Sequence, residues 1–261
     1  MSQTYVDLAT ARDQSGLRVV LTQGVPGPWG EAAKGVLHAK GLAFTRVAQQ
    51  GGADNDALFA WTGHRNAPVV VFDEQPPRTG WSEILWLAEH LAPEPSLLPD
   101  ASEDRVACYG LSHLLMGEGG FGWCRRLMMF HGLMDAEGKL PEALQPTLGR
   151  MVVQYGYSRA AAEVAERRVV EILGLLSDRL AAQRAAGRDF LVGDRLSALD
   201  IYWAAMAALV APLPPDVCAM PDMLRASYQN TGDRIAKAVD PELLAHRDRI
   251  YRDHLEFPLS L

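Results

Sequence analysis

Four places in the chain carry residue types suited to chemistry. Ser82 heads a helix-like run ending near Leu91, and a hydroxyl there, among free amides at the positive end of the helix dipole, suits a carboxylate ligand as well as plain capping. The Ala67-Pro68 step precedes the β-rich run Val69 to Asp73, where proline fits either as an ordinary trans turn residue or as a cis peptide that fixes the backbone pose. Gly24-Val25-Pro26-Gly27-Pro28 is a turn-rich loop leading into a helix, with Trp29 directly behind it. His113 is of the type that exchanges protons near neutral pH, but no acid partner is placed beside it by spacing, and a hydrogen-bonded core histidine is the simpler reading.

Other chemistries lack their signatures. The three cysteines, Cys108, Cys124 and Cys218, are odd in number and have no metal-ligand spacing, which predicts free thiols in a reducing compartment. Cys124 reads as a reactive thiol or, more simply, as a small buried hydrophobe. Gly117 to Gly122 is glycine-rich but has no strand before it, so it is not a phosphate loop. No metal cluster is expected. With a formal charge of −7 there is no basic excess for nonspecific nucleic-acid binding, and no run approaches a membrane span. Met1 to Gln14 is polar and lacks a signal-peptide core, so a cytoplasmic protein is expected.

These residues must be held by elements that the pattern also predicts. In 261 residues, 48% of them hydrophobic, there is material for two packed domains. Residues 1–17 read as a leader arm. Strands are expected at Leu17 to Thr22, Ala43 to Val47 and Val69 to Asp73, with helices at Glu31 to Lys40, Asp54 to Thr62 and Ser82 to Leu91. Ala92-Pro93-Glu94-Pro95 opens a linker, 92–101, after which 102–261 reads as all-helical. A helix from Ser102 to Met116 is interrupted by the glycines at 117–122. Between Arg159 and Ala186, Ala165, Val169, Ile172, Leu173, Leu176 and Leu180 form one apolar stripe. Further helices are expected at Ser197 to Val210, Pro221 to Asn230 and Pro241 to His254. In the first of these Ser197 and Asp200 make a capping box, flanked by Leu196 and Ile201, ahead of an almost wholly apolar run.

The strand–helix–strand–helix–strand–turn–helix order around Ala67-Pro68, together with the phrase Phe190 to Asp200, resembles the cytosolic glutathione transferases over roughly Leu17 to Tyr228. That resemblance implies an α/β plus all-α architecture, a thioredoxin-like N-terminal domain (18–91) followed by an all-helical C-terminal domain. It also implies glutathione as cofactor, a homodimer, and glutathione-dependent conjugation, thiolysis or isomerisation of a small hydrophobic electrophile. Two other classes share the fold: a noncatalytic glutathione or ligand binder, and a protein-interaction module.

By the same resemblance, a cis bond before Pro68 frees the backbone of Ala67 for the cysteinyl part of glutathione, and Ser82 receives the γ-glutamyl carboxylate. Trp81 stands where the family carries an acidic residue. The thiol-activating position falls on Gly27, which has no side chain, leaving backbone amides at the helix start, the Trp29 indole N–H, and more remotely Tyr5 as donors. The substrate wall is expected from Tyr109, His113 and Met116 on one helical face and from Trp123 and Arg126 after the glycine break; aromatic stripes equally form ordinary core, and paired arginines a solvated face.

Overall fold

The computed structural model describes residues 4–135 and 137–261, so the first three residues of the leader arm lie outside the described residues. The N-terminal half runs α1 (Leu8–Arg12), β1 (Leu17–Thr22), α2 (Pro28–Ala39), β2 (Thr45–Gln49), α3 (Asp56–Thr62), β3 (Val69–Phe72) and α4 (Trp81–Leu91). The strands form one sheet of order β2-β1-β3, with β1 parallel to β2 and antiparallel to β3. The central position suits β1, whose Leu17 to Leu21 are all buried, as a strand covered on both faces requires. After β3, Pro76 and Pro77 offer no N–H, and the pairing on its outer edge is one bridge in which Val70 and Arg78 exchange bonds of 2.8 and 2.9 Å.

Two expectations shift. The second strand is β2 at Thr45–Gln49, not Ala43 to Val47, because its register is set by pairing Arg18 with Thr45 and Thr22 with Gln49. The leader arm is structured: Val6 bonds Arg46 and Ala48 across 2.9 and 3.0 Å, extending the sheet edge, and α1 begins at an Asp7 side chain that accepts from the Thr10 amide. Ala11 packs with Val20, Val47 and Leu58, so the arm covers one face of the sheet.

The helical half contains α5 (Ser102–Met116), α6 (Phe121–His131), α7 (Gln145–Gln154), α8 (Arg159–Ala185), α9 (Ala198–Met206, continued by a 3-10 turn at Ala207–Leu209), α10 (Asp222–Gln229), α11 (Asp233–Ala238) and α12 (Pro241–His254). The α8 stripe is buried as the periodicity predicts. Every residue of α9 is buried, packed by α2, α5 and α12, so the helix whose apolar run was longest sits at the centre of the molecule.

The start of α9 is held by Asp200, which is fully buried. Its Oδ2 accepts from the Ser197 amide at 3.0 Å and from the Ser197 hydroxyl at 2.6 Å; its Oδ1 accepts from the Leu191 amide and from His246 Nε2, both at 2.8 Å. Ser197 and Asp200 thus form the expected capping box, and the Ser197 hydroxyl also donates to the Asp200 carboxylate. His246 Nδ1 is left to accept from Arg249 at 3.2 Å, so Nε2 is the nitrogen that donates to Asp200.

Candidate functional site

A cavity of about 410 Å³ opens between the two halves. Its floor is the C-terminal end of β1, the loop that follows, the start of α2 and the residue before Pro68: Leu21, Thr22, Val25, Gly27, Gly30 and Ala67. Glu31 and Tyr5 flank that floor. The opposite wall comes from α6, α7 and α10: Arg126, Leu148, Met151, Tyr155, Leu224 and Tyr228. Apolar walls with a few converging polar groups are the usual composition of a small-molecule site.

Gly27 is the N-cap of α2, with an ordinary φ of −65° and nothing within 4 Å of where a Cβ would stand. Pro28 has no N–H, and the first intrahelical bond runs from Glu31 N–H to Gly27 C=O at 2.8 Å. The amides of Trp29 and Gly30 therefore precede the helical ladder, at the positive end of a twelve-residue helix and on the cavity wall. Gly30 also lets α2 lie close on β1, since a Cβ there would stand 3.1 Å from Leu21 Cδ2.

The Ala67-Pro68 bond is cis, and the β1–β3 ladder stops at Val20–Val69, so Ala67 lies beyond it with its backbone on the cavity. Beside it, a much smaller gap is shared by Pro68, Thr79, Trp81, Trp29 and Met116, which places the start of α4 next to the cis step. Helix α4 starts at Trp81 with Gly80 as its cap, because the Glu83 carboxylate reaches back 3.1 Å to the Gly80 amide. Ser82 is therefore the second helical residue, not the cap. The amides of Trp81 and Ser82 precede the first bond of that helix, Ile84 N–H to Gly80 C=O.

Several of the remaining site expectations are corrected. The Trp29 indole N–H donates to the Met116 carbonyl at 2.9 Å, so it is committed to joining the two halves and its ring serves as wall. Trp123 sits behind Tyr155, ring centroids 4.5 Å apart, and its N–H goes to the Tyr155 carbonyl at 3.1 Å. Tyr109 turns away from the cavity to Trp81 and Trp86 of α4, and His113 is exposed. Helical spacing groups Tyr109, His113 and Met116 on one face; Tyr109 meets α4 and Met116 meets Trp29 across the domain junction, while His113 is exposed. Of the residues expected to form the site, Gly27, Trp29, Ala67 and Arg126 line the large cavity, whereas Pro68, Trp81, Ser82, Tyr109, His113, Met116 and Trp123 do not.

Tyr5 also lines it, because pairing Val6 with the sheet edge carries the arm there. Burial pushes the Tyr5 phenol up from its ordinary value, keeping it a protonated donor at neutral pH. Sequence reasoning also missed the α7 roof. That helix has no buried residue and docks through polar contacts: Arg150 pairs with Asp54 and donates to the Gly52 carbonyl at 3.0 Å, while Asn66 donates to Gln154 at 2.8 Å. Gly52, at φ +79°, admits Thr147 so closely that any Cβ would collide with its carbonyl.

Glu31 is nearly buried in the wall; loss of solvent raises its carboxyl, and Lys34 at 2.9 Å opposes the shift. Lys34 and Arg46 converge on Glu256 and the Ser260 carbonyl, so the C-terminal tail is tied beneath the start of α2. All three cysteines are buried free thiols, raised by desolvation, Cys108 to about 11. None suits nucleophilic work at neutral pH. Among the described residues no His, Cys, Asp or Glu cluster could hold a metal ion, and no helix is long and apolar enough to cross a membrane.

No protein-family model and no curated protein matches the chain. Solved structures do. A glutathione S-transferase from Methylobacterium radiotolerans, complexed with glutathione sulfonate, aligns at TM-score 0.60 and 18% identity over 95% of this chain and 98% of its own. A rice transferase in complex with glutathione aligns at 0.62 and 20%, over 94% and 93%. The β-etherase LigF of a Sphingobium strain aligns at 0.56 and 18%, over 85% and 98%. At such identities the likeness speaks for architecture, and it runs nearly end to end through both halves. The fold is that of the glutathione transferases, a thioredoxin-like domain followed by an all-helical one.

Proposed function

We propose that this protein binds glutathione in the interdomain cavity and uses it on a small hydrophobic electrophile, by conjugation, thiolysis or isomerisation. The observation that carries this reading is the cavity floor. Two free amides at the start of α2 and the off-ladder backbone of Ala67 meet there, facing an aromatic and Met-bearing wall from the helical half. Backbone groups of this kind suit a tripeptide, whose own amides need partners. Glutathione would supply the thiol nucleophile. Ala67 holds the cysteinyl backbone, and the α4 start at Trp81 and Ser82, adjacent to Pro68, receives the γ-glutamyl carboxylate.

The amides of Trp29 and Gly30 and the dipole of α2 stabilise a thiolate, with the Tyr5 hydroxyl as the side-chain donor. The wall formed by Met151, Tyr155 and Leu224 excludes water and orients the electrophile. A cytoplasmic homodimer belongs to the same proposal and rests on the resemblance to the family.

A noncatalytic glutathione binder is the second reading, favoured by one observation: Gly27 offers no side chain and the Trp29 N–H is already taken. Calorimetric titration of the reduced protein with glutathione, followed by turnover with a chloronitrobenzene, separates the cases. Saturable binding with turnover supports the enzyme, and binding without turnover selects the second reading. Absence of binding refutes both.

A further inference from the structure

The helical wall of the cavity carries a positive charge that the protein does not neutralise. Arg125 and Arg126 are consecutive in α6 and point different ways. Arg125 is wholly buried and spends its guanidinium on backbone, donating to Leu209 C=O at 2.9 Å, Tyr228 C=O at 3.3 Å and Asn230 C=O at 3.2 Å. Burial and the adjacent Arg126 charge together push Arg125 down to about 10, still cationic at neutral pH. Arg126 faces the cavity. It lies over the Trp29 and Tyr228 rings at 5.9 and 5.6 Å, and its side-chain partners are all neutral: the Tyr228 hydroxyl at 3.3 Å, the Met129 sulfur at 3.9 Å and the Tyr155 phenol. Its Nε is buried with no hydrogen-bond partner.

Among the described residues no carboxylate pairs with either arginine, although Arg46, Arg150, Arg179 and Arg195 all have one. Glu31, the acidic residue on the cavity wall, is held by Lys34. Uncompensated guanidinium charge next to a low-dielectric cavity is costly, and an anion that arrives with the ligand relieves it. Arginine's planar fork favours a carboxylate, and the flanking rings favour an aromatic body.

We propose that Arg126 is the specificity-determining residue of the cavity, and that the second substrate is an aromatic molecule carrying a carboxylate. This deepens the function proposed above and rests on it for the identity of the co-substrate, but the anion preference can be read without glutathione. The tripeptide has carboxylates of its own, so the test must separate the two sources.

The experiment titrates the intact protein with 2-naphthoate and with 2-naphthamide, equal in shape and differing in charge, with and without saturating glutathione. Wild type should bind the carboxylate about 10- to 100-fold more tightly than the amide. Arg126→Met should abolish that preference while leaving glutathione affinity unchanged, and naphthoate should still bind when glutathione is present. Arg126→Lys, which keeps the charge without the fork, should show a reduced preference and covers the case in which the Met variant does not fold. Equal affinity of wild type for acid and amide, no saturable binding of either, or a preference that survives Arg126→Met would overturn the proposal. So would displacement of naphthoate by glutathione with matching loss of glutathione affinity in Arg126→Met, which would give Arg126 to a carboxylate of the tripeptide. Naphthoate preference without any glutathione binding would refute the function proposed above and leave this assignment standing.

Discussion

Gly27→Ser tests the floor of the cavity most directly. The glycine has φ −65° and ψ 121°, a conformation open to any residue, and a Cβ there meets nothing within 4 Å, so a serine side chain extends into open cavity space. Position 27 is the cap of α2, and serine in place of a glycine cap gains only a few tenths of a kcal/mol, so stability should be flat or slightly raised. The hydroxyl has two uses at once: its oxygen accepts from an orphan amide of the first turn, and its hydrogen points to whatever anion those amides serve. A hydrogen bond to a charged group contributes about 1.5–3 kcal/mol. At 1.36 kcal/mol per unit, that lowers the pKa of a bound thiol by about 1–2 units, because the bond favours the thiolate. Ultraviolet titration of the thiolate in the glutathione-saturated protein reads the shift, and turnover at pH 6.5 should rise with it. An unchanged thiol pKa in a variant that still melts normally and still binds glutathione would mean that the sulfur does not lie at Gly27, and the proposed orientation would fall.

Other perturbations separate structural from functional roles. Asp200→Ala strands four donors that converge on a fully buried carboxylate, so we expect about 3–5 kcal/mol of destabilisation in urea denaturation; a loss under about 1 kcal/mol would mean that the network has replacement partners. Trp29→Phe removes the bond to the Met116 carbonyl and should cost about 1 kcal/mol while leaving the bound thiol's pKa unmoved. A raised thiol pKa in that variant would return the indole to the role of thiolate donor. Gly52→Ala drives a Cβ into the Thr147 carbonyl and should weaken ligand binding severalfold through the displaced roof, with about 1 kcal/mol or more lost in stability because alanine is strained at a φ of +79°. Unaltered affinity would show that α7 does not close the site.

Local signals alone located much of this molecule. The period-3.6 stripe of α8, the β-branched runs of β1 and β3, the glycine that ends α2 and the apolar sweep of α9 are short-range patterns that survive folding, because each records which face must leave water. The turn at Gly27 and the Ala67-Pro68 step were legible for a related reason: glycine widens and proline narrows the backbone's choices wherever they occur. Resemblance to a known family added the expectation of a glutathione site at those residues.

Other features depend on through-space partners that no local pattern specifies. Tyr5 reaches the cavity because Val6 happens to pair with the β2 edge, and Tyr109 and His113 leave it because α5 packs Tyr109 against α4 and turns His113 to solvent. The Trp29 indole reads as a free donor until the Met116 carbonyl, 87 residues away, is brought to 2.9 Å. Arg125 and Arg126 are indistinguishable as a dipeptide; backbone carbonyls from Leu209, Tyr228 and Asn230 claim the first and leave the second facing the ligand space. Sequence by itself determined where the central strand, the long helices α8 and α9 and the helices α2, α4 and α5 fall and which backbone steps are special, since those follow from side-chain periodicity and from the dihedral habits of glycine and proline. Tertiary structure alone decided which polar groups remain unpaired at the cavity, because hydrogen-bond satisfaction is settled only when distant segments meet.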